Sequence, residues 1–194
     1  MRAIIVSLSV VLLAFATSVH AAEKLNTPPE RFTALFNGKD LTNWKASDSL
    51  KANWIVKDGE LHYSGKGGSL PTEENYRDFI LYVDWKFEAR GDSGIYLRGK
   101  PQVQIWCRDE GSGGLWNNKV HESKPLVPAD SPIGEWNTFK IQLVGDKVTV
   151  HLNDKLVVDN TVMDTLKGVE EGPILLQHHG NPLQFRNIFI KKLD

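Results

Sequence analysis

Along most of the chain, apolar side chains recur at every second position in short runs, and the runs end at Gly, Asn, Asp or Pro. Period two marks strands with one buried face, whereas an amphipathic helix needs recurrences at three and four. "NWIVKDGELHYSG" (53–65) reads as two short strands joined by Asp58-Gly59, a pair that favours the tight hairpin turn. In "FILYVDWKF" (79–87), Phe79, Leu81, Val83, Trp85 and Phe87 take one face, and Ile80, Tyr82, Asp84 and Lys86 take the other. "SGIYLR" (93–98) and "PQVQIWC" (101–107) follow. In the second, Val103, Ile105 and Cys107 claim the core, while Gln102, Gln104 and Trp106 point away. Residues 135–160 predict a three-strand meander with turns at Gly145-Asp146 and Asn153-Asp154. "GPILLQHH" and "LQFRNIFIKKL" predict a closing pair linked through Gly180-Asn181-Pro182.

About ten short strands and few helices predict an all-β sandwich of two antiparallel sheets. One face of each sheet builds the core and the other meets solvent or a ligand, so the polar faces are the place to look for chemistry. Residues 108–135 form a long Gly/Pro-rich stretch without a period, a pattern more often functional than idle. No repeat or linker divides the chain, which predicts one domain.

Residues 1–21 fall outside this pattern. A basic start (Arg2), an apolar stretch from Ala3 to Ala16 and the Val19-His20-Ala21 exit predict a cleavable signal peptide and a periplasmic or secreted product. That stretch is shorter than the roughly 20 residues that span a bilayer, so no membrane span is expected in the mature chain. Cys107 is the only cysteine, which leaves none for a lipid anchor or an internal disulfide. A net charge of −1 without a basic block argues against nucleic acid as a partner.

The histidines of "LQHHG" need closer reading. On a strand His178 and His179 point to opposite faces, so regular structure does not converge them on one metal ion. His179 shares its face with Gln177. A dedicated zinc site is not expected either, because neither H-E-x-x-H nor C-x-x-C occurs. Asp84 and Glu88 share a strand face, but four residues at about 3.3 Å each separate them by about 13 Å. Retaining glycosidases need roughly 5.5 Å and inverting ones less than about 9.5 Å, so this pair does not hydrolyse an ordinary glycoside. What remains is a polar face rich in sugar-binding types. Asp84, Lys86, Tyr96, Arg98, Gln102, Gln104, Trp106, Gln177, His179 and Arg186 are expected on one side, ready to bond hydroxyls and to stack on a saccharide ring.

"FTALFNGKDLTNWK", "WIVKDGELHYSGKGGSLPTEENYRDFILYVDWKF", "DSGIYLR", "PQVQIW", "PIGEWNTFKI", "LQHHG" and "FRNIFIKKL" resemble the DUF1080 family, also called the 3-keto-disaccharide hydrolase domain. The resemblance covers about residues 30 to 194. It implies a concanavalin A-like jelly roll and action on 3-keto-glycosides, sugars already oxidised at C3. By position it carries the family's acidic strand residue onto Asp84, its arginine onto Arg98 and its strand glutamine onto Gln104. Its Gln-x-His-Gly motif falls on Gln177 and His179, and Phe-Arg-Asn on Phe185, Arg186 and Asn187. Many members read Glu-x-Gln-Ile-Leu-Asp where this chain has Gln102-Val-Gln-Ile-Trp-Cys107, so two carboxylates are missing and a non-catalytic carbohydrate-binding module is the competing expectation. A C3 ketone acidifies the C2 proton, so one base suffices to start elimination at C1. His179 or Asp84 is the expected base. Arg98, Arg186 or a divalent metal ion is expected to hold the enolate oxygen.

Overall fold

The run 79–87 folds as the expected strand and lies in the interior of the larger of two sheets. The computed structural model describes residues 24–121 and 124–193, so the expected signal segment lies outside the described residues. In chain order the strands are β1 (Thr33–Ala34), β2 (Trp54–Lys57), β3 (Glu60–Tyr63), β4 (Leu70–Pro71), β5 (Phe79–Lys86), β6 (Asp92–Tyr96) and β7 (Gln102–Trp106). After them come β8 (Leu115–Trp116), β9 (Asn137–Val144), β10 (Lys147–Leu152), β11 (Lys155–Val162), β12 (Leu175–Leu176) and β13 (Leu183–Lys192). The only α-helix among the described residues is the single turn Asp48–Lys51, capped by the Ser47 side chain.

The large sheet runs β11-β10-β9-β5-β13-β3-β2, with β1 added to β13, and the small sheet runs β4-β12-β6-β7-β8. All pairings are antiparallel. This is the all-β jelly-roll sandwich of concanavalin A type. Between the sheets, Phe79, Leu81 and Val83 of β5 and Phe139 and Ile141 of β9 meet Ile95, Val103, Ile105 and Leu176, all at 0% exposure. Each such side chain contributes about 1.5–3 kcal/mol, so a one-residue slip that turned a strand's set outward would forfeit most of its stabilisation. The turns follow the sequence chemistry. Asp58 and Gly59 have φ of 53° and 79°, and Asn153 and Asp154 have 49° and 63°, the left-handed pair that a two-residue hairpin demands.

One expectation is corrected. β12 and β13 do not pair. β12 bonds to β4 and β6 in the small sheet, and β13 to β5 and β3 in the large one. Ile174 and Leu176 bury against the core from one layer and Phe185 from the other, so the two runs face each other rather than lie side by side. Gly180-Asn181-Pro182 is therefore a crossover between sheets.

Candidate active site

The outer face of the small sheet carries a cleft of about 220 Å³. Its floor is set by register. Asp92 pairs with Trp106, Gly94 with Gln104, and Tyr96 with Gln102 across β6 and β7, while Gln102 pairs with Trp116 of β8. Gly94 leaves the middle of this face without a side chain. The Gln102 amide folds over it so closely that a Cβ at Gly94 would stand 2.8 Å from the amide carbon.

A chain of hydrogen bonds orients the polar groups. Gln104 Nε2 donates to Asp92 Oδ1 at 2.7 Å and to the Ser93 carbonyl at 3.0 Å, both of which can only accept. Its Oε1 is thereby fixed as an acceptor, and Gln102 Nε2 donates to it at 2.7 Å. This leaves Gln102 Oε1 buried with no partner among the described residues. Gln177 donates through Nε2 to the Tyr96 hydroxyl at 3.1 Å, and its Oε1 is in the same state. A buried acceptor without a partner costs about 1–3 kcal/mol.

His179 stands at the rim, half exposed, with Nδ1 3.9 Å from Asp92 Oδ1. Gln177, two residues before it, is held in line by its own N–H donating to the Gly94 carbonyl and by Ser93 Oγ donating to its carbonyl. His178 turns away, its Nδ1 2.9 Å from Ser69 Oγ. Trp106 forms a wall. Its indole N–H donates to the Gly111 carbonyl at 2.7 Å, the Arg108 guanidinium lies 4.4 Å from its ring centre, and Trp116 meets it edge-on at 6.2 Å. The ring is fixed before any ligand arrives.

Six of the ten expected residues belong to this face: Tyr96, Gln102, Gln104, Trp106, Gln177 and His179. The other four do not, and the expectation of one shared face is corrected. Asp84, Lys86 and Arg186 lie on the outer face of the large sheet, with the whole core, about 10 Å of it, in between. There Asp84 accepts from Thr138 Oγ1 (2.7 Å), Asn187 Nδ2 (2.8 Å) and Arg186 Nε (3.3 Å). The Arg186 guanidinium sits 3.9 Å from the Trp136 ring centre, and the Lys86 ammonium lies over the same ring at 5.0 Å. Arg98 is removed for another reason. It turns left-handed (φ 51°) just past β6, and its side chain, 2% exposed, donates to the carbonyls of Arg77 and Val169 and to Asp78 Oδ1. Burial pulls its pKa down, opposed by the Asp78 carboxylate, in a position that clamps loops rather than one that faces a ligand. Phe185 lies in the core.

The structure adds Asp92, Arg108 and Trp116 to the cleft. Asp92 shares strand parity with Tyr96 and heads the "DSGIYLR" motif, so alternation alone could have found it. Arg108 and Trp116 lie beyond the regular pattern. Among the described residues, no three His, Cys, Asp or Glu side chains come together as a metal-holding group. The cleft thus offers an imidazole beside a carboxylate, one guanidinium, unfilled amide acceptors and an indole wall, a set able to move one proton and hold a polyhydroxylated ring.

Residues 31–191 match the family described as the 3-keto-alpha-glucoside-1,2-lyase-like domain. A relative named 3-keto-disaccharide hydrolase, from Bacteroides thetaiotaomicron, is 24% identical over 253 residues and aligns with 95% of this chain and 87% of its own length. A crystal structure of a candidate glycosyl hydrolase from Parabacteroides distasonis superposes with a TM-score of 0.72 at 29% identity, covering 85% of each chain. The carbohydrate-binding module CBM66 of Bacillus subtilis superposes with a TM-score of 0.59 at 17% identity, over 78% of this chain and 96% of the module, a likeness that shows the fold alone.

Proposed function

The chain belongs to the 3-keto-alpha-glucoside-1,2-lyase-like domain family, and from that membership we propose an exported protein that cleaves 3-keto-glycosides in the small-sheet cleft. The observation that carries this reading is the convergence of Gln102, Gln104, Gln177, Trp106, Asp92 and His179 on one cleft. Amide side chains beside an indole suit sugar hydroxyls and a sugar ring, and an imidazole near a carboxylate suits proton abstraction.

In this reading His179 takes the C2 proton that the C3 ketone acidifies. The electrons pass to the C3 oxygen, and Arg108 is the cation of the cleft positioned to stabilise the enolate. Collapse of the enolate restores the ketone, forms a C1–C2 double bond and expels the C1 oxygen substituent, which takes the proton back from His179. Water then adds at C1 while C2 regains a proton, completing a net hydrolysis. Asp92, 3.9 Å from the imidazole, balances the positive charge it gains.

A specific feature favours a second reading, a non-catalytic saccharide-binding module. Gln102 and Cys107 occupy positions where many members carry carboxylates, and Asp92 is the one acid among the residues lining this cleft. Incubating the protein with a 3-keto-glucoside and with the unoxidised glucoside separates the readings. Turnover of the keto sugar alone supports cleavage, binding of either sugar without turnover supports the module, and the absence of both sinks the two readings together. Export with cleavage after Ala21 is checked by intact mass of the exported form, and a species still starting at Met1 refutes it.

A further inference from the structure

A second cleft, of about 230 Å³, adjoins the His179 cleft and nearly equals its volume of about 220 Å³. Gln104, Trp106 and Trp116 line both, so the two spaces share a wall. The two indoles stand 81° apart with ring centres at 6.2 Å, which makes a corner between the spaces. Trp116 ends the edge strand β8 and leaves 48% of its surface in water, an exposure at odds with the usual burial of an indole. Glu110 and Asn117 are also exposed, and neither side chain has a hydrogen bond or ion pair among the described residues. The remaining wall is occupied otherwise. Gln104 is buried and bonded to Asp92, Lys124 is already engaged, and Gly114, Leu115 and Pro125 supply only backbone and apolar surface. The groups open to a ligand are therefore one indole, one carboxylate and one amide.

We infer that this second space is the subsite for the leaving-group half of the glycoside, and that it takes a second pyranose ring. Trp116 is its stacking platform, and Glu110 and Asn117 are its hydroxyl partners. The inference rests on the proposed cleavage of 3-keto-glycosides and names the side of the first ring on which the leaving group lies. Two clefts of nearly equal volume that meet at one pair of indoles suit two rings of similar size joined through one oxygen. A pyranose carries an apolar C–H face and a rim of hydroxyls. The wall answers both, with an open indole, carboxylate oxygens that accept and an amide that donates and accepts. An aryl group would stack on Trp116 too, but it would cover Glu110 and Asn117 without bonding them, so the polar pair selects the sugar.

Calorimetric titration of the whole protein with methyl α-glucoside, phenyl α-glucoside, maltose and trehalose, together with KM for their 3-keto forms, tests the subsite. At least one disaccharide is expected to bind about tenfold more tightly than the methyl glucoside, and more tightly than the phenyl glucoside, in titration or in KM. The double variant Glu110→Ala/Asn117→Gly deletes both polar partners while keeping at 117 a residue suited to its left-handed backbone (φ 66°). It should lower disaccharide affinity about threefold or more and leave the methyl glucoside unchanged. Trp116→Ala should cost the disaccharide more than the methyl glucoside. No gain for either disaccharide, a phenyl glucoside that binds as tightly as both, or an equal loss for both classes in the double variant overturns the subsite. Cleavage of the 3-keto forms without a disaccharide preference leaves the proposed function standing and removes the subsite, whereas disaccharide-selective binding without any cleavage does the reverse.

Discussion

The two outer faces of the sandwich are built from the same kinds of side chain and set their acids in different surroundings. On the large sheet, Asp84 has three donors, and the Arg186 and Lys86 cations both lie over Trp136. On the small sheet, the Asp92–Gln104–Gln102 chain ends in an acceptor with nothing to accept, and Gln177 repeats the pattern. Saturation does not separate the faces by itself, since Gln184 Oε1 on the outer face of the large sheet is also buried without a partner among the described residues. What separates them is the setting of the acid. Asp84 is closed off by three donors, whereas Asp92 lines a cleft with an imidazole at its rim.

The contrast is most sharply tested at His179. His179→Asn should lower turnover of a 3-keto-glycoside by about 10²–10⁴-fold, the usual loss for a general base, with little change in Tm, while His178→Asn should be nearly silent. Equal activity in the two variants would break the assignment. Next in size is the Asp84 cluster of the large sheet. Asp84→Asn should lower unfolding free energy by about 1–3 kcal/mol in a denaturant titration and leave sugar binding intact, because its partners lose a charged acceptor far from the cleft. A variant with unchanged stability and lost binding would invert the comparison.

A smaller effect is expected at the indole wall. Trp106→Ala should weaken saccharide binding by about 1 kcal/mol by calorimetry, with Tm nearly unmoved. The smallest concerns the loop that borders the cleft beyond Trp116. Hydrogen bonds from the backbone of Val120 and, secondarily, from the His121 side chain and the Lys119 backbone pull the Asp164 pKa from 3.8 down to about 2. A depressed carboxylate stabilises the folded form above its ordinary value and loses that contribution as pH falls through about 2. Amide exchange at Lys119 and Val120 should therefore stay protected at pH 5 and lose protection between about pH 4 and 2. Asp164→Asn should remove this acid step.

Much of this architecture is legible in the chain. Asp58-Gly59 and Asn153-Asp154 announce their hairpins, and alternation through Phe79–Phe87 assigns the buried face correctly. Alternation cannot say which sheet a strand joins, however. Asp84 and Gln104 are both outward-facing strand residues, and nothing local records that they face out from opposite layers. The same blindness joined β12 to β13, since two runs separated by Gly-Asn-Pro look alike whether the chain turns within a sheet or crosses between sheets. Arg98 escaped for a different reason. Two residues past β6 the backbone turns left-handed, and parity no longer predicts where a side chain points. Trp106 was readable because it closes β7, and His179 because Gln177, two residues before it, is still bonded to β6.

The crossover after His179 has a mechanical consequence. The imidazole is mounted within two residues of the span that leaves the small sheet for the large one, and Asn181 of that span accepts a hydrogen bond from the Asp92 N–H at 3.3 Å. Imidazole and carboxylate therefore share one strut, anchored at both ends in separate layers. Any sliding of one layer over the other would move that strut, so the close packing of the core between them limits how far imidazole and carboxylate can shift.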